Sequence, residues 1–144
     1  SEGEVVQAGT PMELFERPNT TFVGYFIGSP AMNLFETEAS SNDSVKINNT
    51  IIKTNTNLVN LKDKKIKLGI RSEFIKIAEN QSENLLNVNI DKVEDLGNYK
   101  LLTAKMGSLT IKSKINRETE VPSNNVKLHI PAEKCCVYED EKLL

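Results

Sequence analysis

Apolar residues recur at every second position in a series of short segments, and this period of two constrains the chain more than any other feature. In Lys65-Ile66-Lys67-Leu68-Gly69-Ile70-Arg71, the residues Ile66, Leu68 and Ile70 fall on one side. That pattern is a half-buried β-strand. Leu86, Val88 and Ile90 repeat it, and the phase then slips by one at Val93. The slip predicts a β-bulge near Asp91-Lys92. Asp95-Leu96-Gly97-Asn98 reads as a turn, after which Leu102, Ala104 and Met106 resume the alternation. Gly107-Ser108 turns the chain back into Leu109 and Ile111, and Val126, Leu128 and Ile130 form a further strand ended by Pro131. Val137-Tyr138 is expected as the last strand. The segment Ser40 to Asn60 is rich in Asn, Ser and Thr and predicts a loose hairpin around Val45-Lys46-Ile47 and Ile51-Ile52. Short strands separated by Gly, Asn or Ser turns predict a mainly β chain, folded as a small antiparallel barrel. No internal repeat at a fixed period is visible.

The first thirty residues obey a different rule. Glu4 to Gln7 reads as a short strand between Gly3 and Gly9. Thr10-Pro11-Met12-Glu13 has the form of a capping box, in which the hydroxyl and the carboxylate each satisfy a backbone N–H of the other's residue. Pro11 suits the first helical position, and Pro18 ends the helix. Asn19 is expected to cap a second helix whose stripe is Phe22, Val23, Phe26 and Ile27. Gly28 can take its left-handed C-terminal position, and Pro30 prevents continuation. Helices this short are marginal alone and must dock on another surface. The chain opens Ser1-Glu2-Gly3 without a methionine, and the whole reads as a piece of a longer protein, cut at a hinge.

Composition excludes several function classes. The 144 residues carry a net charge of −2, with 38 % apolar and 26 % charged residues, as a globular domain with its own core does. The basic residues are spread along the sequence, which argues against nucleic acid as a partner. An OB module that binds nucleic acid would also need exposed strand aromatics, which are scarce. No apolar run approaches the roughly 18 residues of a membrane helix, and no secretory leader is visible.

The search for chemistry is largely negative. None of the seven glycines precedes a lysine, so there is no phosphate-binding GxxxxGK[ST] loop, and neither G-x-G-x-x-G nor G-x-S-x-G occurs. No catalytic residue, cofactor site or metal site is expected. His129, the single histidine, lies between Leu128 and Ile130 and is expected to face away from the core. Cys135 and Cys136 are neighbours pointing to opposite faces of a strand, which disfavours a disulfide between them. The expectation is one buried and one half-exposed thiol, in a reducing cytoplasm. Glu139-Asp140-Glu141 reads as a solvated face, and Glu94-Asp95 as turn formers. Arg71, at the end of an apolar strand and followed by Ser72-Glu73, is expected to lock two segments through a bidentate bond to a carboxylate.

The string "GEVVQAGTPMELFERPNTTFVGYFIGSPAMN", residues 3 to 33, resembles the join between the nucleotide-binding and C-terminal domains of ABC importer ATPases. It is most similar to the sugar-importer group, which includes the maltose- and glycerol-3-phosphate-transporter ATPases. That group writes the join as G-x-I-x-Q-x-G-T-P-x-E-L-Y-x-x-P, then F-V-A-x-F-I-G-S-P-x-M-N. Phe15 stands here for the usual Tyr and Gly24 for the usual Ala. "LGIRSEFI", Leu68 to Ile75, resembles the family's G-I-R-P-E-H, with Ser72 and Phe74 departing from it. "VEDLGNYKLL", Val93 to Leu102, resembles V-E-x-L-G-x-E-x-x-V.

The resemblance implies residues 1–30 as the end of a nucleotide-binding domain with its connecting helices, and residues 31–144 as an OB-like regulatory domain. The motif positions it marks are Gly28, Pro30, Asn33, Gly69, Arg71, Glu73, Glu94 and Gly97. It implies that this piece is not itself an enzyme, and that ATP and Mg belong to the missing domain of the parent chain. Implied partners are a second copy of the chain, membrane-spanning permease subunits reached through the missing domain, and a regulatory protein. The implied location is the cytoplasmic face of the cell membrane. A barrel that senses a small anion or sugar is the alternative.

Overall fold

The computed structural model describes residues 10–26, 30–61 and 64–144. The strand expected at Glu4 to Gln7 and the cap expected at Gly28 lie outside them. Among the described residues, eleven strands form two antiparallel sheets. The first sheet contains β1 (Asn33–Ala39), β2 (Ser44–Ile47), β3 (Thr50–Lys53), β4 (Lys65–Ile70), β10 (Cys136–Glu139) and β11 (Lys142–Leu143), in the order β11-β10-β4-β1-β2-β3. The second contains β5 (Lys76–Ile77), β6 (Leu85–Asp95), β7 (Lys100–Met106), β8 (Leu109–Ile115) and β9 (Asn125–His129), in the order β5-β9-β6-β7-β8. The result is mainly β, an OB-like half-barrel rather than one closed barrel.

The period of two decides which residues meet between the sheets. Ile66, Leu68 and Ile70 of β4 are buried against Leu86 and Val88 of β6, Leu102 and Ala104 of β7 and Ile111 of β8 in a single core. Burying an aliphatic side chain of this kind contributes on the order of 2 kcal/mol. The expected bulge is present: the β6–β7 register shifts between Ile90 and Lys92. Gly97 and Gly107 take φ of +97° and +61° in the two expected turns. The Asn-rich stretch is more ordered than its composition suggested. β2 and β3 pair over four residues, and Asn48 supplies the left-handed conformation of their turn at φ 52°. A strand beyond Val137-Tyr138 is added by β11, which pairs back on β10.

Two three-residue 3₁₀ turns follow β4 and β9, at Ser72–Phe74 and Ala132–Lys134. Each is entered by an extended residue, Arg71 or Pro131, and left by an extended, buried one, Ile75 or Cys135. The two turns touch, with Lys134 Nζ 4.6 Å from the centre of the Phe74 ring.

The opening corrects the expectation of two short helices. It holds two helical turns of six residues each, α1 (Pro11–Glu16) and α2 (Thr21–Phe26), and no helix of seven residues or more occurs among the described residues. Pro18 ends the first turn, and the chain between them is extended, with Thr20 bridged to Lys142 of β11 as a strand residue would be. The cap of α2 is Thr20 rather than Asn19: the Thr20 hydroxyl accepts from the Val23 N–H at 3.2 Å. The Asn19 carbonyl instead accepts from Leu143 at 2.8 Å.

Candidate functional site at the seam between the opening turns and the half-barrel

α1, α2 and the segment between them lie against the outer side of β4 and β10, where a second, smaller core forms from Met32, Cys136 and Tyr138, with Leu34 and Leu143 against it. Close approach here depends on two glycines. A Cβ at Gly69 would stand 2.8 Å from Met32 Sδ, 2.9 Å from Tyr138 Cε2 and 3.2 Å from Leu34 Cδ2. A Cβ at Gly24 would stand 2.9 Å from the same sulfur. The Met32 thioether therefore fills a slot that only two hydrogen "side chains" leave open.

Polar bonds fix the seam around this plug. Tyr138 donates its phenolic hydrogen to the Pro18 carbonyl at 2.8 Å, so its buried oxygen is satisfied. Arg17 Nη1 donates to the Cys135 carbonyl at 3.1 Å, and Lys134 Nζ lies 3.5 Å from Glu16 Oε1. Glu141 closes the far edge, pairing with Lys67 Nζ at 2.7 Å and accepting from the Thr21 hydroxyl. These two donors hold its carboxyl below the usual carboxylate range. Glu139-Asp140-Glu141, expected as a solvated face, is in part a latch: Asp140 and Glu141 form the β10–β11 turn at φ 50° and 68°.

Arg71 is 1 % exposed. Its guanidinium lies over the Phe15 ring at 4.1 Å from the centroid, and Nη2 donates to the Pro30 carbonyl at 3.1 Å. Glu73 Oε1 is 3.5 Å away. The expected lock between two segments is there, and a ring face and a backbone carbonyl take part in it beside a carboxylate that Arg71 meets through Nη2. The planar cation suits this site because it stacks and donates in its own plane at once.

Both thiols are buried and free. Alternation sends Cys135 into the main core and Cys136 to the opposite face, as expected. That second face is covered by α1, whose Glu16 carbonyl lies 3.5 Å from Cys136 Sγ, so the expected half-exposed thiol is absent. Burial pushes Cys135 up to about 12 and raises Cys136. Burial also raises the Tyr138 hydroxyl, and the adjacent Cys136 adds to it.

Of the marked positions, Pro30, Gly69, Arg71 and Glu73 meet at the seam. Asn33 lies beside them and makes a different connection. Its Nδ2 donates to the Lys112 carbonyl at 2.9 Å, and its Oδ1 accepts from the Lys112 N–H at 2.9 Å. It thus joins β1 of one sheet to the edge strand β8 of the other. Glu94 and Gly97 are not part of this cluster. They sit at the β6–β7 hairpin, where Glu94 is 3.6 Å from Lys92 and the Gly97 N–H donates to Asp95 at 2.9 Å. Sequence reasoning passed over Met32, Cys136 and Tyr138 as seam residues. The usable signal was Tyr138, a lone hydroxyl-bearing aromatic in the final strands, two residues beyond the one that pairs with Gly69. His129 is half-buried in β9, at the edge shared with β5 and β6. Among the described residues, no group of three or more His, Cys, Asp or Glu is placed to hold a metal ion.

Residues 28–75, which carry Pro30, Met32, Asn33, Gly69 and Arg71, match the family described as the MalK OB fold domain. Over those residues the chain resembles the MalK OB-fold family. The chain is 36 % identical over 105 residues to the sn-glycerol-3-phosphate import ATP-binding protein UgpC of Psychromonas ingrahamii, covering 73 % of this chain and 27 % of that protein. It is 32 % identical over 150 residues to the multiple sugar-binding transport ATP-binding protein MsmK of Streptococcus mutans, covering 96 % of this chain and 40 % of that protein. The chain thus spans under half the length of these relatives. Among solved structures, the cytoplasmic molybdate-binding protein ModG shares the fold at a TM-score of 0.65 and 11 % identity, over 74 % of this chain and 94 % of that one.

Proposed function

We propose that this chain is the regulatory and pairing domain of the ATP-binding subunit of an ABC importer for sugars or sugar-like solutes. The observation that carries the reading is the match to transport ATP-binding proteins over 96 % of the chain, in a sequence that holds none of the phosphate-binding motifs of an ATPase. On this reading the parent chain hydrolyses ATP with Mg in a domain outside these residues, and residues 1–30 lead from that domain into the regulatory domain at 31–144.

The seam supports a mechanical role. The turns at 10–26 are held to the half-barrel by Arg71, Tyr138, Arg17 and the Met32 plug. Displacement of an attached ATPase domain would therefore be passed to the half-barrel instead of being absorbed by a slack linker. Gly69 admits Met32, Arg71 with Pro30 and Glu73 latches the turns, and Asn33 ties the two sheets. Glu94 and Gly97 shape the far hairpin. A second copy pairing through this domain keeps two ATPase domains at high effective concentration between turnovers. Permease subunits would be met through the ATPase domain at the cytoplasmic face of the membrane, and a regulatory protein would act on the domain itself. A regulator that binds one state of the pair better than the other shifts the cycle by that difference alone.

Sedimentation equilibrium of this chain tests the pairing. A reversible dimer is the expected result. A strict monomer up to the solubility limit overturns the assignment of the pairing contact to these residues.

A further inference from the structure

The 18 lysines and arginines look dispersed along the sequence, but the fold places six of them, Lys76, Lys92, Lys105, Lys112, Lys114 and Lys127, on the outer face of the second sheet. In the second sheet, residues directly opposite each other share a face. Lys127 is opposite Asn87, Lys105 is opposite Asn89, and Lys112 and Lys92 flank Thr103. Lys114 is opposite Leu101. These lysines lie on the side away from the core, since Val88, Leu102, Ala104 and Ile111 on the other side are buried; Leu101 and Thr103, which share the lysines' side, are covered as well.

Little on this face neutralises the lysines. Glu94 pairs with Lys92 at 3.6 Å, Asp91 sits at the adjoining bulge, and Glu73 acts on Lys76 beside Lys114. Lys114 lies over the Tyr99 ring at 4.3 Å, and Lys105 Nζ donates to Thr110 Oγ1 at 2.7 Å. Among the described residues, Lys105, Lys112 and Lys127 take part in no ion pair. The outer face of the first sheet is built differently. There Glu36 stands opposite Lys67, and Glu38 stands between Lys65 and Lys46, so the charges cancel locally.

From this we infer that the outer face of the second sheet is a docking surface for an acidic, extended segment of a partner protein. Three features of the face favour a polypeptide among anionic partners. First, β6 and β9 form a groove of about 620 Å³ whose polar lining is Asn87, Asn89, Asn125 and Lys127. Asparagine amides match peptide groups in donor and acceptor, and elsewhere in this molecule Asn33 pairs with a peptide backbone in that way. Second, apart from Tyr99 at its margin, already occupied by Lys114, the face presents no aromatic on which bases could stack, and no exposed apolar anchor for a lipid interface. Third, the whole chain carries −2, which opposes the approach of an extended polyanion. A locally acidic segment senses only charges within a Debye length of roughly 8–10 Å, where the lysines dominate.

This names a partner class for the regulatory role proposed above and rests on that reading for its meaning. The experiment addresses the face alone and is independent of pairing. A fluorescein-labelled oligo-glutamate peptide is titrated with this chain, at low and at physiological salt, and followed by anisotropy. Saturable binding that weakens as salt rises is expected. The double variant Lys105→Glu/Lys112→Glu should weaken it roughly tenfold or more, while Lys65→Glu, on the charge-balanced face, should leave it within about twofold. Both changed lysines are exposed, so matching melting curves will show that the fold persists. Absence of saturable binding at low salt, or equal binding by the double variant, overturns the inference. Tighter binding to a single-stranded oligonucleotide or to vesicles of anionic lipid than to the peptide overturns the choice of a polypeptide partner.

Discussion

Asn84 treats Lys53 as a neighbouring strand would. Its Oδ1 accepts from the Lys53 N–H at 2.8 Å, and its Nδ2 donates to the Lys53 carbonyl at 2.8 Å and to the Ile130 carbonyl at 2.8 Å. Together with the Asn33–Lys112 pair, this closes the two places where edge strands of one sheet run past the other without a backbone ladder. Asn84→Ala removes three bonds at a site 8 % exposed and leaves peptide groups of Lys53 and Ile130 unpaired. A loss of about 3 kcal/mol in urea unfolding is expected. Asn84→Gly should cost about 1 kcal/mol less than Asn84→Ala, because residue 84 has φ 55°.

The Met32 slot yields a graded pair of variants. Gly69→Ala meets Met32, Tyr138 and Leu34 at once and should destabilise by about 2–3 kcal/mol. Gly24→Ala meets the flexible sulfur and, at 3.4 Å, Pro18, and gains up to about 1 kcal/mol of helix propensity. Its net change in denaturant unfolding should be under about 1 kcal/mol. Adding Met32→Ala to Gly69→Ala should recover part of the loss, and a double-mutant cycle measures the coupling.

Arg71→Lys keeps the charge and loses the planar stack on Phe15. A cost of about 2 kcal/mol is expected. The diagnostic change is faster proteolytic cleavage between Glu16 and Thr21, because the turns are released before the half-barrel unfolds.

The thiols make stability depend on alkaline pH. Cys135 ionises at 9.0 when unconstrained and at about 12 when buried. A folded value above the unfolded one means that the contribution is complete below pH 9 and is lost as pH rises towards 12. The slope for this group approaches about 1.4 kcal/mol per pH unit. Unfolding in urea at a series of pH values should show it, and Cys135→Ala should flatten it. A thiol reagent at neutral pH should label neither cysteine until denaturant is added.

The Asp95 carboxyl is held below its ordinary value of 3.8 by the Gly97 N–H and then by Arg117, which it meets at 3.0 Å. A depressed value means that the contact favours folding above pH 3.8 and loses its effect as pH falls through the lowered midpoint. NMR titration of Asp95 should place that midpoint below 3.8, and Arg117→Ala should move it upwards.

The sequence alone determined the strands of the core. Ile66, Leu68 and Ile70, the slip at Asp91-Lys92, and the glycine turns at 97 and 107 follow from side-chain alternation and backbone sterics, which are local. The family motifs also marked Gly69, Arg71 and Asn33 before any contact was known. Tertiary structure decided what each of these residues does. Gly69 matters because Met32 and Tyr138, 37 and 69 positions away, converge on it. Arg71 finds a ring and a carbonyl beside the Glu73 carboxylate because β4 delivers it beneath the opening turns. Cys136 is buried because those turns cover a face that alternation alone leaves open to water. The lysines at 76, 92, 105, 112, 114 and 127 form one surface only after five strands are placed in register. Period and turn chemistry act over a few residues. Cover, convergence and charge clustering depend on pairings across the whole chain, which no short window of sequence contains.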